Sequence, residues 1–257
     1  MGAESKQIGN EAEADRSAFA SPTIAALLII AVAVATRIVS WWNPVAHVDD
    51  QFYLLAGEEL LQGRWPYVDI WDRKPLGLFL LYAGIAWIGG GSILGLNLVA
   101  TAFAAATAIV IRQIALRFAS PAAATLAALA YLIAMPVFGG QNGQSPVFYN
   151  LLMAGAAWLL FSASDQLGAA SIRRNAFAAM LFAGLAMAIK QISFVEGAYF
   201  GLAFLWLLRR SGSQIVPLIL TALAMIIVAL MPTGLAMAGY ALAGEAALSE
   251  FIYANFI

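Results

Sequence analysis

Long apolar runs alternate with short polar stretches along most of this chain. A helix needs about 20 apolar residues to cross the roughly 30 Å hydrocarbon core of a bilayer. Seven runs reach or approach that length, and we predict spans at 22–41, 93–116, 120–137, 147–163, 176–190, 193–208 and 214–238. The pattern therefore predicts an all-α integral membrane protein, a polytopic helical bundle with about seven transmembrane helices.

The composition agrees with this fold class and excludes several kinds of site. Apolar residues make up 63% of the 257 and charged residues 11%, whereas a soluble domain carries about 25% charged residues. The net charge of −1 argues against a nucleic-acid partner. The chain has no cysteine and only one histidine, His47, so it lacks the residues of an ordinary zinc site or a cysteine nucleophile. We predict no cofactor and no metal.

The arginines orient the predicted spans. Residues 1–20 are polar and are predicted to be a cytoplasmic tail, followed by an uncleaved signal anchor. The apolar segment 75–89 is too short to cross and is predicted to lie at the outer face. The arginine pairs between later spans then fall on one side, which the positive-inside rule makes cytoplasmic. These pairs are Arg112 and Arg117, Arg173 and Arg174, and Arg209 and Arg210.

The opposite, outer face collects the other polar segments. It receives the first outer loop (41–92), the 138–146 loop, Lys190 and the 239–257 tail. Six of the fourteen acidic residues lie within 41–74: Asp49, Asp50, Glu58, Glu59, Asp69 and Asp72. Charges in membrane proteins gather where water and substrate are, which makes this segment the candidate site. A plainer interpretation also stays open, namely a surface helix over 51–62 that one aspartate caps.

Three ordered motifs resemble those of GT-C-fold membrane glycosyltransferases, the relatives of the dolichyl-phosphate-mannose protein mannosyltransferases and the lipid A aminoarabinose transferase. The motifs are Asp49-Asp50-Gln51-Phe52-Tyr53, then Asp72-Arg73-Lys74-Pro75, then GLAMAIKQ from Gly184 to Gln191. Leu76 departs from the pattern, which usually has a second proline there. The resemblance covers about 20–257, so 21–257 is expected to be the N-terminal transmembrane module of such a protein, without the further carboxyl-terminal spans of larger relatives.

The resemblance implies an inverting glycosyltransferase. Such an enzyme moves a sugar from a polyprenyl-phosphate carrier to a glycan, lipid or protein acceptor, here at the outer face of a bacterial inner membrane. It implies that Asp49 is the general base, with Asp50 as the alternative. The expected carrier-phosphate ligands are Arg73, Lys74 and Lys190, and the expected supporting residues are Tyr53, Trp71, Asp72 and Glu196. The alternative function is a non-catalytic module or translocation partner that binds carrier lipid.

Several of these residues also have simpler interpretations. Lys190 ends a span, so it could extend to the interface or neutralise Glu196, and we favour that pairing. The 139–145 loop is rich in glycine and lacks the acidic residue that family members often carry near this position. It is predicted to be a tight turn. Five aromatic residues are predicted to be interfacial anchors: Trp41, Trp42, Trp65, Tyr67 and Trp71.

Overall fold

A computed structural model describes residues 21–43, 48–165 and 168–257. The tail at 1–20 and His47 lie outside these residues. In the described part the chain forms ten α-helices. They are α1 (Pro22–Ala35), α2 (Val48–Leu61), α3 (Leu76–Gly89), α4 (Ile93–Ala115), α5 (Pro121–Ala134), α6 (Ser145–Ser164), α7 (Ala169–Ile189), α8 (Phe194–Arg210), α9 (Ile215–Ala243) and α10 (Glu245–Phe256). Short 3₁₀ turns follow α1, α5 and α7, at Ile38–Ser40, Met135–Phe138 and Gln191–Ser193.

Seven segments are long and apolar enough to cross a membrane. They are Pro22–Ser40, Ile93–Ala115, Pro121–Phe138, Ser145–Ser164, Ala169–Ile189, Gln191–Arg210 and Ile215–Ala243. The prediction of an all-α polytopic membrane protein is therefore confirmed. The fifth begins at 169 rather than 176, because its first turns carry Arg173 and Arg174, which an apolar pattern cannot include. The seventh continues through Pro232 to Ala243, beyond the predicted end at 238.

Two shorter helices form a unit that carries the acidic motif. The 14 residues of α3 extend about 21 Å, short of a hydrocarbon core of about 30 Å. This length agrees with the prediction that 75–89 is too short to cross the membrane. The position of α3 at the outer face stays a prediction. A Cβ on Gly57 of α2 would stand 2.6 Å from the backbone carbon of Tyr82. The two helices thus touch backbone to backbone, and Asp49 and Asp50 lie at the start of this hairpin.

Two close helix crossings set the positions of the cationic residues. A Cβ on Gly77 of α3 would stand 2.5 Å from the carbonyl oxygen of Ala188, near the end of α7. Gly184 makes a similarly close approach to the backbone of Ala229 in α9. Small residues allow such approaches between membrane helices. The first crossing places the start of α3, just after Lys74, beside the end of α7, just before Lys190.

Candidate functional site

Tyr53 lies near the carboxylates of Asp49, Asp50 and Asp72, which we call the acidic cluster. Its side chain, on α2, is 5% exposed. Burial raises the pKa of its hydroxyl, and the negative charges of Asp72, Asp49 and Asp50 raise it further. Charges act this way only from nearby, so all three carboxylates lie within electrostatic range of one tyrosine. The structure thereby brings together the first two motifs, which are separated in the sequence by some twenty residues.

The two adjacent aspartates have different surroundings. Asp49 is exposed, whereas Asp50 is only 4% exposed. Asp50 accepts hydrogen bonds from the backbone N–H of Gly143, at 3.2 Å, and from the side-chain amide of Gln144, at 2.8 Å. A buried carboxylate with such donors has a structural role. Asp49 is the member of the pair that a substrate can reach.

The 139–144 loop does more than turn the chain between two spans. Arg37, at the end of α1, donates to the carbonyl oxygens of Gly140, at 2.8 Å, and Asn142, at 3.0 Å. The Tyr82 hydroxyl donates to the carbonyl oxygen of Gly143 at 2.6 Å. Asn142 has a φ of 44°, a left-handed conformation that asparagine tolerates better than most residues. The predicted turn is present, and it joins the first span to the α2–α3 unit.

The second motif forms a compact turn before α3. One carboxylate oxygen of Asp72 accepts from the backbone N–H groups of Arg73, at 2.5 Å, and Lys74, at 3.2 Å. Aspartate side chains commonly stabilise turns in this way. The guanidinium of Arg73 lies 5.7 Å from the centre of the half-exposed Trp71 ring. Asp72 therefore orders the turn, in which Lys74 is half-buried.

Tyr67 is part of the core, and its prediction as an interfacial anchor is wrong. It is 2% exposed and has a φ of 68°. Its hydroxyl donates to the carbonyl oxygen of Lys74 at 2.6 Å, and its ring contacts Tyr240 and Phe251. The Tyr240 hydroxyl in turn donates to the carbonyl oxygen of Pro66 at 2.9 Å. These contacts with α9 and α10 bury the whole ring of Tyr67 and hold the outer loop in place.

The predicted pairing of Lys190 with Glu196 is also wrong. Across the described ranges, the ion pairs are Arg64–Glu59 and Arg117–Asp165. The backbone is extended at Lys190, and a 3₁₀ turn at Gln191–Ser193 then separates α7 from α8. Glu196 is exposed in the first turn of α8, where the helix dipole favours a carboxylate. Lys190 thus stays at the end of α7 without Glu196 to neutralise it.

An apolar groove opens beside the two lysines. This α3–α7–α9 groove has a volume of about 410 Å³, and α10 closes one side of it. Its lining includes Pro75, Gly77, Ala188, Pro232, Tyr240 and Asn255. Pro75 directly follows Lys74, and Ala188 precedes Lys190 by two positions. The two lysines are therefore close in the chain to residues that line the groove.

Sequence reasoning missed three contributors to this arrangement. Arg37 holds the 139–144 loop, Gly77 sets the α3–α7 crossing, and Tyr240 covers the outer loop. Two had a signal in the sequence: an arginine inside an apolar span and a glycine inside an apolar helix. The contacts of Tyr240 had none, because they join residues far apart in the chain.

The chain was also compared with known proteins. No protein-family model, curated protein or solved structure matches it. A function for this chain can therefore be proposed only from the motif resemblance, the fold and the geometry of the site.

Proposed function

We propose that this protein is an inverting glycosyltransferase that uses a polyprenyl-phosphate sugar as its donor. The acceptor is a glycan, lipid or protein at the outer face of the membrane. The arginine-bearing end, which carries Arg117, Arg174 and Arg210, is then cytoplasmic. The acidic cluster is outside, as in a bacterial inner membrane. The observation that carries the proposal is that Pro75 and Ala188, which lie one and two positions from Lys74 and Lys190 in the chain, line the α3–α7–α9 groove, while Asp72 acts on Tyr53 together with Asp49 and Asp50. From this we infer a path that runs from the groove past the lysines to these carboxylates.

Each part of this path matches one part of the donor. The groove takes the start of the apolar carrier chain, and the ammonium groups of Lys74 and Lys190 offset the phosphate charge. Arg73, stacked on Trp71, adds a third cation on the same turn. The sugar, which follows the phosphate, then lies toward the exposed carboxylate of Asp49.

The transfer step is a single displacement. The Asp49 carboxylate takes the proton of the acceptor hydroxyl, and the acceptor oxygen bonds to the anomeric carbon. The bond from the anomeric carbon to the phosphate oxygen breaks, and its electron pair stays on the phosphate. Attack opposite the leaving group inverts the anomeric centre. Asp50, buried and bonded to the 139–144 loop, positions Asp49 and does not touch the reacting atoms.

The test is transfer by purified protein in nanodiscs from a panel of radiolabelled polyprenyl-phosphate sugars. Loss of a general base lowers turnover by about 10²–10⁴-fold. We expect Asp49→Asn to do this while carrier binding persists. Glu250→Gln, which removes an exposed carboxylate on α10, is the matched control and should keep full turnover.

Two outcomes would contradict the proposal. If wild-type protein binds carrier but transfers no sugar to any acceptor, the chain is a binding module. If Asp49→Asn keeps full turnover, another group is the base. Carrier binding measured separately, by retention of labelled lipid, distinguishes these cases from a failure to bind the donor.

A further inference from the structure

A second groove lies at the opposite, arginine-bearing end of the bundle. It runs between α6 and α8 and has a volume of about 820 Å³. One end is polar, with Arg117, Ser164 and Asp165, and the rest of the wall carries large aromatic side chains, among them Phe161, Tyr199 and Trp206. This α6–α8 groove shares no lining residue with the groove beside the lysines.

The polar end carries a net positive charge. One guanidinium nitrogen of Arg117, Nη2, donates to the carbonyl oxygen of Phe161 at 3.0 Å and pairs with Asp165. Arginine has five N–H donors, and the bonds of Arg117 to described residues all use Nη2. The guanidinium of Arg210 lies 4.7 Å from the centre of the Trp206 ring, at the same end. Arg117, and Arg210 just outside the lining, thus outnumber the carboxylate of Asp165 at this end.

The groove fits within one leaflet. Along α8 its lining runs from Tyr199 to Leu207, which are eight residues apart, or about 12 Å at 1.5 Å per residue. Half of a hydrocarbon core of about 30 Å is about 15 Å. A lipid with its phosphate at Arg117 would therefore have its chain alongside Trp206 and Tyr199, which are 57% and 65% exposed.

The wall chemistry favours a lipid chain over a partner helix. Helices that associate in membranes approach through small residues, whereas large rings line this groove. An apolar partner helix would also supply no anionic group to Arg117. A phospholipid supplies both an apolar chain for the rings and a phosphate for the arginines.

We infer that the α6–α8 groove binds an anionic glycerophospholipid from the leaflet at the arginine-bearing end. The phosphate bonds to Arg117, with Arg210 adding positive charge, and one acyl chain lies against Phe161, Trp206 and Tyr199. Asp165 competes with the phosphate for Arg117, so it limits the affinity. This site is independent of the proposed transfer reaction, which lies at the other end of the bundle.

The test is native mass spectrometry of the delipidated full chain titrated with phosphatidylglycerol, phosphatidylethanolamine or phosphatidylcholine. Losing a charge-assisted hydrogen bond weakens binding on the order of tenfold. We expect that loss of phosphatidylglycerol affinity in Arg117→Gln and in Ala203→Trp, which fills the groove without changing charge. Asp165→Asn should bind phosphatidylglycerol more tightly than wild type.

Arg174→Gln is the matched control, because it removes an exposed arginine at the same end but outside the groove. It should leave affinity unchanged. If Arg174→Gln and Arg117→Gln lose the same affinity for phosphatidylglycerol, the effect comes from general surface charge, and the proposed site is wrong. Equal affinity for all three lipids, or weaker phosphatidylglycerol binding by Asp165→Asn, would overturn the anionic ligand. Gel filtration and thermal unfolding verify that each variant is folded.

Discussion

Arg37 and Asp50 bind opposite ends of the same peptide group. Arg37 donates to the carbonyl oxygen of Asn142, and Asp50 accepts from the N–H of Gly143. Both side chains are 4% exposed. A buried charge is costly unless it is hydrogen-bonded, and here one oriented peptide serves a cation on one side and an anion on the other. The 139–144 loop is thus a polar bridge between two buried charges.

This bridge predicts that the two neighbouring aspartates respond differently to the same substitution. In Asp50→Asn, the new carbonyl oxygen can still accept from Gly143, and the Gln144 amide must rotate to present its oxygen to the new N–H₂. Both bonds then lose the carboxylate charge, and because hydrogen bonds to charged groups contribute about 1.5–3 kcal/mol against about 0.5–1.5 kcal/mol for neutral ones, the midpoint of thermal unfolding should fall. Asp49→Asn should leave the midpoint unchanged, since Asp49 is exposed. Equal midpoints for the two variants would contradict the structural role of Asp50.

The crossing of α2 and α3 predicts a strict requirement for glycine at position 57. In Gly57→Ala the new methyl would collide with the backbone at Tyr82, and such overpacking costs about 1–3 kcal/mol. Gly84→Ala, on α3, is the control, because a Cβ there meets nothing within 4 Å. It should be neutral or slightly stabilising, since alanine favours helix. Urea or thermal unfolding of the pair would measure the difference, and a harmless Gly57→Ala would refute the close crossing.

The outer-loop tyrosines predict destabilisation in alkali. Burial raises the pKa values of Tyr53 and Tyr67 above that of an unfolded tyrosine, which is about 10. Their contribution to stability is therefore complete below about pH 10 and is lost as pH rises through the higher folded values. Phenolate absorbance should appear together with unfolding. Tyr53→Phe should lose less stability between neutral and alkaline pH than wild type, and an identical loss would exclude Tyr53 as a contributor.

The lysine-bearing helix ends predict a charge requirement for donor binding. Under the proposed function, Lys74→Gln and Lys190→Gln should each weaken carrier binding on the order of tenfold, because a charged hydrogen bond to phosphate is lost. Arg209→Gln, at the other end of the bundle, should leave carrier affinity unchanged. Labelled-carrier retention measures all three. Undiminished binding by the lysine variants would remove them from the phosphate site.

The spans were predictable because their physics is local. An apolar run of bilayer length is visible in the sequence, and the seven segments differ from prediction mainly at their ends, where arginines or Pro232 occur. The shared influence of Asp49 and Asp72 on Tyr53 had no local signal, because 23 positions separate the two aspartates in the sequence. Burial of Tyr67 under Tyr240 and Phe251 was not predictable, because an aromatic residue in an outer loop has the same local pattern whether it is buried or interfacial.

The bond from Tyr240 to Pro66 has a consequence for synthesis of the protein. The two residues are 174 positions apart, and a ribosome adds about 5–20 residues per second. Pro66 is therefore synthesised about 9–35 s before Tyr240. During that interval Tyr67 lacks two of the rings that bury it. The final packing of Tyr67, whose hydroxyl bonds to Lys74, therefore waits until α9 and α10 have been made.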